Sequence, residues 1–236
     1  MIDVVYIVGT GSKWQNNELR YSLRSIEMYG KNLGNVYISG NKPYFINNKM
    51  KWVESYDIGF PSVNHWHKVR KFFMGTNVNK VLYMMDDVFF TKEIDLENYP
   101  YYQRGDLKEI PVDGDNYHDC LNNTRIVLEK MNKPTTNFEV HCPIIYERDK
   151  FLNLTDKFNS LRKEYKHFVG VRSLYANYYN IEGQFTKDVK IRGRHMNNLE
   201  EKMNKIDCFS IGDETIELGM DKILQEKYPN KSKWEK

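Results

Sequence analysis

Asp86 and Asp87 stand side by side at the end of the apolar run Lys80-Val-Leu-Tyr-Met-Met85. Two adjacent carboxylates on an apolar strand repel each other and lose hydration, so the pattern asks for a cation or for exposure at the strand end. A hard divalent ion, Mg²⁺ or Mn²⁺, takes carboxylate oxygens together with the diphosphate oxygens of a nucleotide and neutralises a leaving diphosphate. The pair therefore reads as a metal and diphosphate site, with a plain turn-closing role as the alternative. A second strand end offers a softer signal: Gly9-Thr10-Gly11-Ser12 follows the apolar run from Asp3 to Val8. Thr10 and Gly11 would let the backbone approach a nucleotide, although the dinucleotide spacing G-x-G-x-x-G fails at Trp14.

Three further groups have the chemistry for such a site. His141, between Val140 and Cys142-Pro143, is a candidate metal ligand, phosphate donor or base for an acceptor hydroxyl, and equally a buried core histidine. Arg172 has the planar fork that suits a diphosphate, and the same reading extends to Arg20 and Arg24; the alternative for each is an ion pair with a neighbouring carboxylate. His65 and His67 are two apart on a helix and face different directions, which favours packing or acceptor-side roles over a metal pair. Arg192, Arg194, His195, Lys202 and Lys205 form a loose cationic stretch, either a contact for phosphates of a polymeric acceptor or a solvated face.

The elements that must position these residues follow a β-α-β pattern. The strand from Asp3 to Val8 leads to an amphipathic helix from Glu18 to Tyr29, in which Leu19, Leu23 and Ile26 share a face and Gly30 ends the helix. Asn35–Ser39 is strand two and Trp52–Ile58 strand three. A helix from Val63 to Met74, capped by Ser62, precedes the acidic strand. Pro100–Asp119 reads as an irregular flap, and helices are expected at Cys120–Met131, Lys150–Tyr165, Arg172–Tyr179 and Asp213–Tyr228, with a strand at Ile206–Ile211. Open α/β sheets bind ligands at the carboxyl ends of their strands, where both Thr10-Gly11 and Asp86-Asp87 fall.

Composition narrows the class. The chain has 236 residues, 40% hydrophobic and 14% aromatic, enough for one α/β core. A formal charge of +3 is compatible with a polyanionic acceptor but below the footprint of a dedicated nucleic-acid binder. Cys120, Cys142 and Cys208 lack metal-ligand spacing and are expected to be reduced. Met1-Ile-Asp-Val-Val-Tyr-Ile-Val8 lacks the marks of a signal peptide and is too short to span a bilayer, so a cytoplasmic protein is expected, of a bacterial cell or phage-encoded.

Several segments, in order, resemble the Stealth family of sugar-phosphate transferases. Asp3-Val-Val-Tyr6 and Glu18-Leu-Arg-Tyr-Ser-Leu-Arg-Ser-Ile-Glu27 are similar to that family's opening strand and helix, and Lys80–Phe90 resembles its strand ending in Asn-Asp-Asp-Val-Phe. His141-Cys-Pro143, Val171-Arg-Ser173, Ile211-Gly-Asp-Glu214 and Tyr228-Pro-Asn-Lys-Ser-Lys-Trp-Glu235 resemble its later elements. Two departures stand out: Met85 replaces the Asn before the acidic pair, and Val8-Gly-Thr-Gly-Ser12 replaces a Trp-Val-x-Gly opening.

The resemblance implies a single GT-A-like (Rossmann-like) α/β domain over residues 1–236 with a mostly parallel sheet. Residues 1–99 would form the nucleotide-sugar half, and 100–236 the acceptor-side half with a closing segment. It also implies Asp86 and Asp87 for the metal and diphosphate, His141 at the reaction centre, Arg172 on a phosphate and, less directly, Asp213 on the metal. Together with the reading of the residues themselves, the expected site has His141 and Asp87 as catalytic, Asp86, Asp87 and Asp213 on the metal, and Thr10, Gly11, Arg20, Arg24, Asp86 and Arg172 around the donor. The expected activity is metal-dependent transfer of a sugar from a nucleotide sugar, a UDP-sugar first, to a hydroxyl of a polymeric acceptor. Sugar-1-phosphate transfer to a capsule-type glycan, glycosylation of hydroxymethylated DNA and a non-catalytic binding module are the alternatives.

Overall fold

The computed structural model describes residues 1–165, 167–204 and 207–236. Its centre is a five-stranded sheet in the order β4-β3-β1-β5-β9, formed by β1 (Ile2–Val8), β3 (Leu33–Gly40), β4 (Lys51–Val53), β5 (Lys80–Met85) and β9 (Ile144–Glu147). β3, β1, β4 and β5 run parallel, and β9 closes the edge antiparallel to β5. The register pairs Ile7 with both Ser39 and Met85, so the carboxyl ends of the three central strands arrive together. Gly40 makes that convergence possible: at φ +131, a Cβ there would lie 2.0 Å from the Val8 carbonyl oxygen.

Alternation along the strands divides the core in two. Val5, Ile7, Val81 and Tyr83 face α2 (Pro61–Gly75) and α4 (Arg148–Phe158), packing on Trp66, Phe72, Phe73 and Phe151. Val4, Tyr6, Leu82 and Met84 face α1 (Glu18–Tyr29), whose Leu19, Leu23 and Ile26 are fully buried and each contribute about 2 kcal/mol. Short parallel pairs, β2 (Gly30–Lys31) with β7 (Ile94–Asp95) and β8 (Tyr102–Gln103) with β10 (Gln184–Phe185), tie the periphery.

After Asp86-Asp87 the chain leaves the central sheet. β6 (Val88–Phe90) joins a second sheet in the order β11-β12-β6, with β11 (Lys190–Ile191) and β12 (Cys208–Ile211). Two serines of α1 hold β6 in place: Ser22 Oγ donates to the Val88 carbonyl, and Ser25 Oγ accepts from Phe90 N at 3.1 Å. The acidic pair is thus the hinge between two sheets, clamped from the α1 side.

Several expected elements differ. The third strand is confined to Lys51–Val53, because this edge strand has one partner and the Asp57 side chain draws the following chain toward Thr10 and Lys68. Ser62 is not the cap of α2; Phe60 holds that position, and Ser62 Oγ donates to the His167 carbonyl at 2.8 Å. α3 (Asn116–Lys130) begins inside the expected flap, since the Asp115 carboxylate accepts from the backbone N–H of Tyr117 and His118. The helix expected over Lys150–Tyr165 is split into α4 and α5 (Leu161–Glu164). Asp213–Tyr228 is likewise divided, with a 3-10 turn, a wide turn containing Gly219 at φ 93, and then α8 (Asp221–Lys227); α6 (Val171–Tyr178) and α7 (Leu199–Met203) lie between. Lys205 and Ile206 lie outside the described residues. The three cysteines are buried and free of disulfides, and among the described residues no helix is long and apolar enough to cross a membrane.

Candidate active site

A cavity of about 340 Å³ opens at the carboxyl ends of β1 and β5, lined among others by Ile7, Tyr83, Met85, Asp86, Asp87, Glu139, His141, Arg172 and Lys190. Of the residues singled out in the sequence, Asp86, Asp87, His141 and Arg172 are brought together there.

Asp87 is held from the second sheet. β12 pairs Ser210 with Val88 and β11 pairs Lys190 with Ser210, so both side chains stand in one row beside the acidic turn. Ser210 Oγ donates to Asp87 Oδ2 at 2.8 Å and Lys190 Nζ at 3.0 Å. Asp87 Oδ1 is buried without a hydrogen-bond partner among the described residues. Burial pushes the Asp87 carboxyl up, but the charges of Lys190 and His141 and the two hydrogen bonds outweigh it and hold the group below the usual range. Asp86 goes the other way: burial, then the charges of Asp87 and Glu18, raise it well above an ordinary aspartate.

His141 adopts a left-handed backbone, φ 55, costly for a non-glycine residue and often found where a side chain must be aimed. Its Nδ1 lies 2.8 Å from Asp188 Oδ1, and Arg104 Nη1 reaches Asp188 Oδ2 at 3.2 Å. Burial raises the Asp188 carboxyl, yet the His141 hydrogen bond and the charges of His141 and Arg104 bring it down to about 2. With Nδ1 committed to a carboxylate, Nε2 is the nitrogen left for chemistry.

Arg172 sits near the start of α6 and is almost wholly buried. Nη1 donates to Glu139 Oε2 at 3.1 Å, while Glu139 Oε1 accepts from Ser173 N at 3.1 Å. Gly170 permits this approach, since a Cβ there would come within 2.8 Å of Glu139 Oε1. The guanidinium lies over the Tyr83 ring, 5.1 Å from its centroid, and among the described residues Arg172 Nε and Nη2, its side-on edge, have no hydrogen-bond partner, nor has the Tyr83 hydroxyl. A buried pair of parallel donors without an acceptor suits a phosphate or carboxylate of a ligand. His65 also faces the cavity; burial and the charges of Arg172 and Lys68 lower its pKa to about 3, so it is neutral.

Other candidates are placed elsewhere. Thr10 donates through its N–H and hydroxyl to Asp57 Oδ2, at 3.1 and 3.0 Å, and lines a separate cavity with Lys68, Trp52 and Tyr56. Gly11 has open space around it. Arg20 and Arg24 turn to Glu235, Arg24 through two 2.8 Å bonds and Arg20 through one of 3.2 Å, so the phosphate-binding reading gives way to an ion pair that fastens the C-terminal segment. Asp213 is exposed after β12, and its charge acts on Glu18.

Glu139, Asp188 and Lys190 were missed by the sequence reading. Glu139 had a local signal, a carboxylate two residues before His141; Asp188 and Lys190 had none, since only the pairing of β11 with β12 brings them to the site.

The residues present match an oxygen-seeking cation in part. Asp87 Oδ1 and Glu18 Oε2 are buried oxygens without hydrogen-bond partners among the described residues. Among the described residues, however, no group of three or more His, Cys, Asp or Glu side chains is gathered closely enough to hold a metal ion. The protein thus offers one or two carboxylates, the number with which Mg²⁺ is commonly held beside substrate phosphates.

No family model matches the chain and no curated protein matches it, so the Stealth resemblance stands on its ordered segments alone. Among solved structures, the fold is similar to that of the galactosyltransferase LgtC in complex with donor and acceptor sugar analogs. The TM-score is 0.54 at 9% identity, over 97% of this chain and 95% of that one. The chain has an α/β fold of the GT-A glycosyltransferase type, built on a mostly parallel central sheet.

Proposed function

We propose that the chain transfers a sugar from a nucleotide-sugar donor to a hydroxyl of a polymeric acceptor. The observation that carries this reading is one cavity, at the carboxyl ends of β1 and β5, that is lined by both Arg172 and the acidic pair. An arginine and carboxylates around one cavity suit a diphosphate with its counter-ion. Asp86 and Asp87 would hold a divalent cation, which when bound supplies positive charge to the leaving diphosphate. Lys190, already on Asp87, keeps a second cation at the same place. Arg172 orients the donor through its phosphates. His141, fixed through Nδ1 by Asp188, takes the proton of the acceptor hydroxyl at Nε2.

The same groups would serve transfer of a sugar phosphate, the reading favoured by the segments resembling the Stealth family. The two differ in the bond that breaks. The test is incubation with a panel of nucleotide sugars, UDP-sugars first, with Mg²⁺ or Mn²⁺, reading the nucleotide released. Nucleoside diphosphate supports glycosyl transfer and monophosphate the alternative. Asp87→Ala should abolish turnover, and Asp188→Asn should lower kcat about a hundredfold with a shifted pH profile. Equal turnover by the wild type and Asp87→Ala rejects the site.

A further inference from the structure

A second cavity of about 330 Å³ lies along the strap that carries β11, lined by Phe185, Lys187, Asp188, Val189, Lys190 and Lys202 with Thr186. Lys190 lines both this cavity and the first, so the two meet at the strap. Asp188 lines the second cavity and holds His141, which lines the first. Whatever lies in the second cavity is therefore a neighbour of the groups assigned to the reaction.

The walls have a definite chemistry. Phe185 is 68% exposed and presents an apolar surface. Lys187 and Lys202 form no ion pair among the described residues, and Asp188 is already engaged by His141 and Arg104. From 184 to 195 the chain carries Lys187, Lys190, Arg192 and Arg194 against the single carboxylate of Asp188. The surplus of positive charge is felt locally: burial, then Lys202, Arg194 and Arg192, lower the pKa of His195.

We propose that this groove is the acceptor site and that the acceptor is an anionic glycan. A sugar ring would lie on Phe185, and phosphate or carboxylate groups of the polymer on Lys187 and Lys202. The inference rests on the transferase reading and specifies its acceptor. A flat apolar face beside unpaired ammonium groups suits a polymer that alternates sugar rings with charge. The cavity has the dimensions of a small-molecule site, which accommodates a short stretch of single chain and not the width of a duplex.

The test is binding of the full chain to fluorescein-labelled polygalacturonate, a teichoic acid, neutral dextran and a short DNA duplex across a salt series. The expected result is binding of a charged glycan, with neutral dextran far weaker. The variant Lys187→Ala/Lys202→Ala should weaken it about tenfold and flatten its salt dependence. Phe185→Ser should weaken what binding persists at high salt. The polygalacturonate and teichoic acid arms separate carboxylate from phosphate. Wild-type affinity in the double variant, equal binding of neutral dextran, or tighter binding of duplex DNA than of either charged glycan overturns the proposal. UDP and GDP titrated into the same samples read the donor site independently. Nucleotide binding with an unmoved glycan affinity removes the groove alone. No nucleotide binding by the wild type removes the transferase reading and the acceptor role with it.

Discussion

The arginines at the C-terminal clamp and the arginine in the cavity look alike in sequence and differ in what their donors do. Every nitrogen of Arg20 and Arg24 is engaged: Arg24 with Glu235 and the Tyr228 carbonyl, Arg20 with Glu235, Asn17 and Tyr44. Arg172 has one nitrogen on Glu139 and two buried without a hydrogen-bond partner among the described residues. A fully matched guanidinium fastens two parts of a fold, whereas an unmatched one keeps a desolvation cost that a ligand can relieve. The difference separates a structural pair from a candidate site without reference to any relative.

The largest expected effect is at the clamp. Glu235 has a fully buried side chain and also accepts from Ser232 N at 2.9 Å, so Glu235→Ala strands two guanidiniums and frees the C-terminal segment. Loss of one partner from such a pair should cost about 3 kcal/mol of stability, measured by urea unfolding. Nucleotide affinity of the folded fraction should stay as in the wild type. A stability change below about 1 kcal/mol would mean the clamp is an exposed pair of little consequence.

The cavity should respond in the opposite way. Arg172→Lys keeps the charge beside Glu139 but removes the side-on edge. Nucleotide affinity should fall between about tenfold and a hundredfold, with a smaller stability loss than at Glu235, read by calorimetric titration and thermal unfolding. Unchanged affinity with a large drop in Tm would make Arg172 a second clamp and erase the distinction.

What could be read in advance divides along the same line. β1, β5 and α1 were legible because each carries its signal locally: a run of apolar residues for a buried strand, or Leu19, Leu23 and Ile26 at helical spacing with Gly30 behind them. Asp86-Asp87 was legible because charge on an apolar strand contradicts its surroundings. The strap was not: Lys190 opens a two-residue strand whose place depends on pairing with β12, about 20 residues on, and Asp188 lies two residues before it. The roles of Arg20 and Arg24 were hidden for the same reason, since Glu235 lies 211 positions from Arg24. Long-range pairing leaves no periodicity in the sequence to detect.

A last expected effect concerns the pH dependence of the cavity, and its sign follows from His65. Its pKa is lowered in the folded chain from 6.5 to about 3, first by burial and then by Arg172 and Lys68. As pH falls below 6.5 the unfolded chain takes up a proton that the folded chain refuses. The contribution of His65 to stability is therefore complete above 6.5 and is lost progressively toward pH 3. His65→Gln should remove at most about one proton from the slope of stability against pH in that window, measured by urea unfolding at stepped pH. At the clamp, burial raises Glu235, but hydrogen bonds from Arg24 and Ser232 with the Arg24 charge hold it below its ordinary 4.5. The contribution of Glu235 is thus intact above 4.5 and is lost only at lower pH, so Glu235→Ala should leave the slope between 6.5 and 4.5 untouched. A slope in that interval that follows Glu235 and ignores His65 would reverse the assignment of the two regions.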